Sequence, residues 1–328
     1  MKRFVLVAGY GKPPHDLPFR AYCENRVRQH VAANKAMEEL VFQIFDVGSG
    51  EVVVRTFTYP AGQRTESVTT ARPFHRVTRA HYDGNAFKDG VRGVMSILNI
   101  YAAVRTIGVT APGTLMELSF FSHGYDGPVL VDSFDYRRTT DMLRDPGDMD
   151  PRPKDFHTAN MPPADLAAFQ AAYHPDGINW SWGCNFQEPY HRILTKLELH
   201  PDYRSLGLPD SKVLVLRNLG SGDASLLGDH LGRTFPDHRK AEVTFGEMKW
   251  FFRRHILAGY CHTLAVNSGR KTFGGLLGTY AERDTTGPRP LMHVNRGFGR
   301  HLAFYRNYFG FTLDPERRWY GLYDPAFT

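Results

Sequence analysis

Cysteine is scarce in this chain of 328 residues, which holds only Cys23, Cys184 and Cys261. They are widely spaced, odd in number and form no CxxC pair. That excludes a zinc ribbon and a disulfide framework and points to a reducing, cytoplasmic setting. Long apolar runs are missing too: Leu115–Phe121 and Ile256–Ala258 fall well short of the roughly 18 residues of a membrane span, so no membrane partner is expected. Met1–Gly9 resembles a secretory leader only briefly. Its apolar core ends at Ala8 and Tyr10-Gly11-Lys12-Pro13-Pro14 follows, so it reads as an early core strand. No run of five Lys or Arg occurs, and the 40 basic and 34 acidic residues are interspersed to a net +6, so nucleic acid is not expected as a partner. A GxxxxGK[ST] phosphate loop is absent, and the two prolines after Gly9-Tyr10-Gly11-Lys12 forbid the helix it needs. HExxH is absent as well, and Arg253 and Arg254 oppose a cation between His255 and His262. Neither a metal nor another cofactor is expected.

What is present is burial-ready surface. Hydrophobic residues make up 42% of the chain, with 23 Phe, 16 Tyr and 4 Trp, which excludes disorder as the dominant state. Arg3–Ala8 reads as a strand and Arg20–Glu39 as an amphipathic helix. Val41–Asp46 and Glu51–Phe57, joined by Val47-Gly48-Ser49-Gly50, read as a hairpin, and residues 60–84 as loop. A helix is expected over Gly90–Thr106, stopped at Gly108, and then a strand over Leu115–Phe121. The charged, proline-bearing stretch 132–163 reads as an insertion or long surface loop, exposed enough for an activation cut. A short helix opens at Pro162-Pro163, a strand covers Gly177–Trp182, and a helix covers Pro189–Leu199. Further along, Glu247–Ala265 reads as a helix and Lys271–Leu277 as a strand, and the aromatic tail should pack. Strands alternating with helices argue for an α/β protein, with a mostly parallel central sheet and helices on both faces. Residues 1–200 form the expected core, and 201–328 an additional α/β portion completing the same domain and its cleft.

In such sheets ligands meet the chain beyond the carboxyl ends of strands. Two ends stand out: one strand runs into Ser122-His123-Gly124, the other into Gly183-Cys184. As parallel neighbours they would bring out His123 and Cys184 on one edge, about 5 Å apart per strand step. A thiol needs a base to become a nucleophile at neutral pH, and an imidazole supplies it. Gly124 lets its amide approach a carbonyl, and with the Cys184 amide it makes a two-donor oxyanion hole. The bland alternatives are a loop histidine and an inert buried thiol.

An apolar strand ending in Ser122-His123-Gly124, followed by one ending in Gly183-Cys184, resembles the caspase-like (clan CD) cysteine peptidases. That group includes caspases, legumain, gingipains, clostripain and separase. The resemblance covers the order of elements from Arg3 to about Leu199. It implies a caspase-like sandwich, endopeptidase (thiol protease) activity and a protein or peptide substrate. It also implies that Gly278-Thr279-Tyr280 lies among the substrate-binding loops, with Thr279 a binding residue. The interval of 61 positions from His123 to Cys184 makes 132–163 an insertion, and Asn185-Phe186 follow the thiol where the family commonly has small residues.

Asp126 and Asp132 are candidates to accept a Lys or Arg side chain of the substrate, though such acids also cap loops. Asn185 is a candidate to line the cleft. Two other functions compete: a catalytically silent caspase-like scaffold, and an α/β-hydrolase-type esterase with Ser122-His123-Gly124 in its oxyanion hole. Cleavage specificity and oligomeric state are not legible.

Overall fold

The computed structural model describes residues 1–328 apart from 12–16, 85, 89–90, 132–152, 238 and 285–287, with backbone alone at 86 and 153–154. Strand β1 (Lys2–Ala8) is followed by helix α1 (Phe19–Ala33), the hairpin β2 (Leu40–Asp46) and β3 (Glu51–Thr58), and β4 (Thr65–Ala71). After the small pair β5 (Tyr82–Asp83) and β6 (Ala86–Phe87) come α2 (Ile97–Thr110) and β7 (Leu115–Phe121). A second small pair, β8 (His123–Gly124) and β9 (Pro128–Val129), precedes α3 (Pro163–Ala171), β10 (Tyr173–Ser181) and α4 (Glu188–Glu198). Next come β11 (Val213–Arg217), α5 (Ser221–Leu231), β12 (Lys240–Thr244), α6 (Phe245–Ala258) and α7 (Tyr260–Ser268). The chain finishes through β13 (Thr272–Gly274), β14 (Ala281–Arg283), β15 (Met292–Val294), α8 (Gly299–Phe309) and β16 (Gly321–Tyr323).

The central sheet has the order β16-β13-β10-β7-β1-β2-β3-β4. Its middle, β13, β10, β7, β1 and β2, is parallel, whereas β3, β4 and β16 join antiparallel. The sheet is therefore mixed, with its parallel strands at the centre. The near-continuous apolar runs of β1 and β7 suit strands covered on both faces. On one face Val5, Val7, Leu118 and Phe120 pack with side chains from α2, α3, α4, α6, α7 and α8. On the other, Phe4, Leu6, Trp180 and Trp182 meet Phe19, Tyr22 and Val27 of α1 and Met292 and Val294 of the β14–β15 ribbon. Each large apolar side chain buried this way contributes about 1.5–3 kcal/mol. β13 and β16 come from beyond residue 201, so the later part of the chain completes the same sheet.

Several elements differ from the reading of the sequence. Stretch 60–84 contains β4, whose TESVTTA is exposed along its whole length and so shows no apolar alternation. Helix α1 ends at Ala33 because Asn34 leaves it, accepting from the Glu38 amide at 3.2 Å and donating to the Glu38 carbonyl at 2.8 Å. Helix α2 starts at a Ser96–Asn99 capping box and runs past Gly108 to Thr110. Gly108 is a packing glycine, since a Cβ there would lie 1.7 Å from the Ala168 carbonyl oxygen of α3. The helix expected over Glu247–Ala265 is two, broken at Gly259, whose ψ of 158° is extended. Most of the expected insertion, 132–152, lies outside the described residues, and so do the activation cut there and Asp132. Among the described residues no helix is long and apolar enough to cross a membrane.

Candidate active site

Strands β7 and β10 are parallel neighbours, with Trp180 opposite Ser119 and Ser181 opposite Phe120. Their contact continues past both ends, where the Trp182 amide donates to the Phe120 carbonyl at 3.0 Å. The segments that follow touch backbone to backbone. A Cβ on Gly124 would fall 2.3 Å from the Cys184 carbonyl oxygen and 2.8 Å from its nitrogen, and one on Gly183 2.9 Å from the Gly124 nitrogen. Only glycine on both sides permits that approach. His123 and Cys184 thus leave abutting stretches of chain at one sheet edge, and Gly124 and Cys184 are juxtaposed through their main chains.

The imidazole of His123 packs edge-on to Phe19, ring centres 5.2 Å apart, and Ser122 Oγ donates to the His123 carbonyl at 2.7 Å. Cys184 is partly buried. Its Sγ accepts from the Ala281 amide at 3.3 Å and lies 3.7 Å from the Ala281 carbonyl. Burial pushes the Cys184 thiol above its ordinary pKa, and the Ala281 N–H works against burial without cancelling it. At rest the sulfur is a thiol.

Asn185 and Thr279 meet, but as a buttress. The Asn185 amide donates to the Thr279 carbonyl at 3.0 Å, and the Gly278 amide to the Asn185 carbonyl at 2.8 Å. Thr279 is fully buried and its hydroxyl donates to the Leu276 carbonyl at 2.6 Å, while Asn185 Nδ2 donates to the Gly275 carbonyl at 3.1 Å. Asp126 accepts the Tyr260 amide at 3.2 Å and so caps α7, tying the loop after the histidine to that helix.

The residues that sequence reasoning missed sit on β14. Ala281 binds the sulfur, and Arg283 lies two positions on, on the same side of the ribbon. A cleft of about 330 Å³ opens there, lined by Arg283, Asp284, His293, Arg296, Glu316 and Arg317 among others. Its carboxylates are engaged: Glu282 by Asn295 at 2.7 Å and His293 at 3.1 Å, Asp284 by Arg318 at 3.2 Å, Glu316 by Arg26 at 2.6 Å. Arg283, Arg296 and Arg317 are exposed and face no carboxylate among the described residues. Tyr22 of α1 is buried, its hydroxyl without a hydrogen-bond partner among the described residues. Burial raises the Tyr22 pKa, and the Arg283 charge opposes that shift.

No protein-family model matches this chain, and no curated protein or solved structure does either. What remains is the geometry: a thiol and an imidazole on two touching stretches of chain, and an arginine-rich cleft at the ribbon strand whose Ala281 meets the sulfur.

Proposed function

We propose that this chain is a cysteine endopeptidase of caspase-like architecture, with His123 and Cys184 as its dyad. The observation that carries this reading is the backbone contact between Gly124 and Cys184. It sets the stretch of chain carrying the base against the stretch carrying the nucleophile, which supports a dyad with two amide donors beside it. The thiol proton passes to His123 as Sγ attacks the scissile carbonyl carbon, and the resulting oxyanion faces the amides of Gly124 and Cys184. The imidazolium returns its proton to the departing amine, the C–N bond breaks, and a thioester remains for water to hydrolyse. A resting thiol that is protonated fits proton transfer during attack rather than a standing ion pair.

The contact itself is testable. Gly124→Ala should force the strand ends apart and lower kcat/KM about 100-fold, as expected for a misplacement of roughly 1 Å. The melting temperature should fall only modestly. Full activity in that variant would show that the contact does not hold the reacting groups.

The cleft supports a substrate side chain bearing a carboxylate, received by Arg283. Asp126, engaged at the α7 terminus, is not the group on which this reading relies. Fluorogenic peptides with Asp or Glu before the scissile bond should be cleaved in preference to those with Lys or Arg. Arg283→Ala should lower kcat/KM on the acidic peptides by roughly 10- to 100-fold, the worth of a charge-assisted hydrogen bond. Preference for Lys or Arg peptides would overturn the assignment.

A further inference from the structure

A second cleft, of about 320 Å³, lies on the far side of α1, between that helix and the β3–β4 hairpin. Its floor is apolar: Val27 is 1% and Phe57 3% exposed, and Val31 is half-buried. Around the floor stand Arg28, Arg55, Arg64 and Arg289, with Glu66 as the sole carboxylate in the lining. Glu66 is already committed, since Arg55 Nε donates to it at 2.7 Å. Arg55 also pairs with Glu24 and lies over the Phe57 ring at 5.4 Å, so its charge is spent and its position fixed. Arg28 reaches only the neutral Asn25 Oδ1, at 3.1 Å. Arg64 and Arg289 face no carboxylate among the described residues. The backbone beside Arg289 is anchored to α1, because Asn25 Nδ2 donates to the Pro290 carbonyl at 2.7 Å.

Three exposed guanidiniums with no counter-charge among the described residues, converging on an apolar floor, ask for a ligand that carries both carboxylates and an aliphatic side chain. We propose that this cleft is a docking groove for a linear acidic peptide segment of a partner protein, with an aliphatic anchor on Val31 and Ala32 and carboxylates on Arg28, Arg64 and Arg289. Guanidinium forks suit carboxylates bidentately, and a converging positive rim concentrates anions at the groove. Single-stranded nucleic acid suits it less well, because such strands bind by stacking bases on open aromatic faces. Phe57 offers none: it is buried, covered by Arg55 and met edge-on by Phe42 at 5.8 Å. The groove uses neither His123 nor Cys184, so it stands or falls apart from the peptidase reading.

Fluorescence anisotropy with three labelled probes tests it: a peptide alternating Glu and Leu, a poly-Glu peptide of equal charge, and an oligo-dT. The Glu/Leu peptide should bind best, and more weakly as salt rises from about 50 to about 200 mM. A combined Arg28→Ala, Arg64→Ala, Arg289→Ala variant, altered only at exposed positions, should keep its melting temperature and lose at least about tenfold in affinity. Val31→Asp should weaken the Glu/Leu peptide but not poly-Glu. Unchanged binding in the triple variant, poly-Glu binding as tightly as the Glu/Leu peptide, or tighter binding of oligo-dT would each overturn the proposal.

Discussion

Replacing Cys184 by alanine should abolish peptide hydrolysis, by more than about 1,000-fold in kcat, while the chain still unfolds within a few degrees of wild type. The disparity follows from what the sulfur does. Among the described residues its hydrogen-bond partner is the Ala281 backbone, at 3.3 and 3.7 Å, so the fold loses little. The reaction loses its nucleophile, and the amides of Gly124 and residue 184 can supply only a remnant of rate. Alkylation of native protein gives an independent reading. Burial holds Cys23 well above the ordinary thiol range and pushes Cys261 up to about 12, and both side chains are buried. Iodoacetamide should therefore modify Cys184 first, slowly at pH 7 and faster as pH rises past 9, because the Cys184 thiol is also raised. Substrate turnover should not wait for that pH, since His123 takes the proton during attack. Hydrolysis surviving in Cys184→Ala, or protection of Cys184 equal to that of Cys261 at every pH, would remove the sulfur from the mechanism.

The strands that build this site were legible because burial on both faces leaves little room for polar residues. Arg3–Ala8 is apolar nearly throughout, Leu115–Phe121 and Ile178–Ser181 carry large apolar side chains between few polar ones, and each lies where the sequence pattern placed a strand. So does the hairpin around Gly48 and Gly50. What escaped was whatever depends on contact rather than period. Gly108 has the local look of a helix stop, yet its missing side chain serves the crossing with Ala168. Strand β4 stands in water on both faces, so nothing in its composition separates it from loop. The cleft lined by Arg283, Arg296 and Arg317 joins residues spread along the last fifty positions of the chain, whose meeting depends on how the β14–β15 ribbon packs. The short polar run of β14 carries no signal of its own. Equally silent was Glu117, a carboxylate in the middle of a core strand.

Breaking the ion pair on which that carboxylate depends should be the most destabilising of the substitutions considered. Glu117 and Arg26 have side chains 1% and 5% exposed, joined at 2.7 Å, with a second contact from Arg26 Nε at 2.9 Å. His30 Nε2 sits 2.9 Å and Ser119 Oγ 2.5 Å from the same carboxylate. The guanidinium lies over Trp180 at 5.6 Å and Trp182 at 5.5 Å, and its outer nitrogen reaches Glu316 at 2.6 Å. Arg26→Met leaves a buried carboxylate without its main counter-charge, which costs roughly 3–5 kcal/mol. Adding Glu117→Leu should recover part of that loss, because the stranded charge is then gone. Acid should act on the same group. Burial alone would push the Glu117 carboxyl up, but Arg26 and His30 outweigh it and hold it well below the usual carboxylate range. A depressed pKa contributes stability above the unfolded value, near 4.3, and that contribution erodes as pH falls toward the native one. Glu117→Gln should therefore flatten the acid side of a plot of melting temperature against pH. The consequence reaches the thiol: Trp182 Nε1 donates to Ser119 Oγ at 3.2 Å, Tyr320 donates to the Trp182 carbonyl at 2.6 Å, and Cys184 is two residues further on. Peptidase activity in Arg26→Met should thus fail at a lower temperature than in wild type, in step with unfolding. If Arg26→Met melts within about two degrees of wild type, the pair is not what holds the β10 end in place.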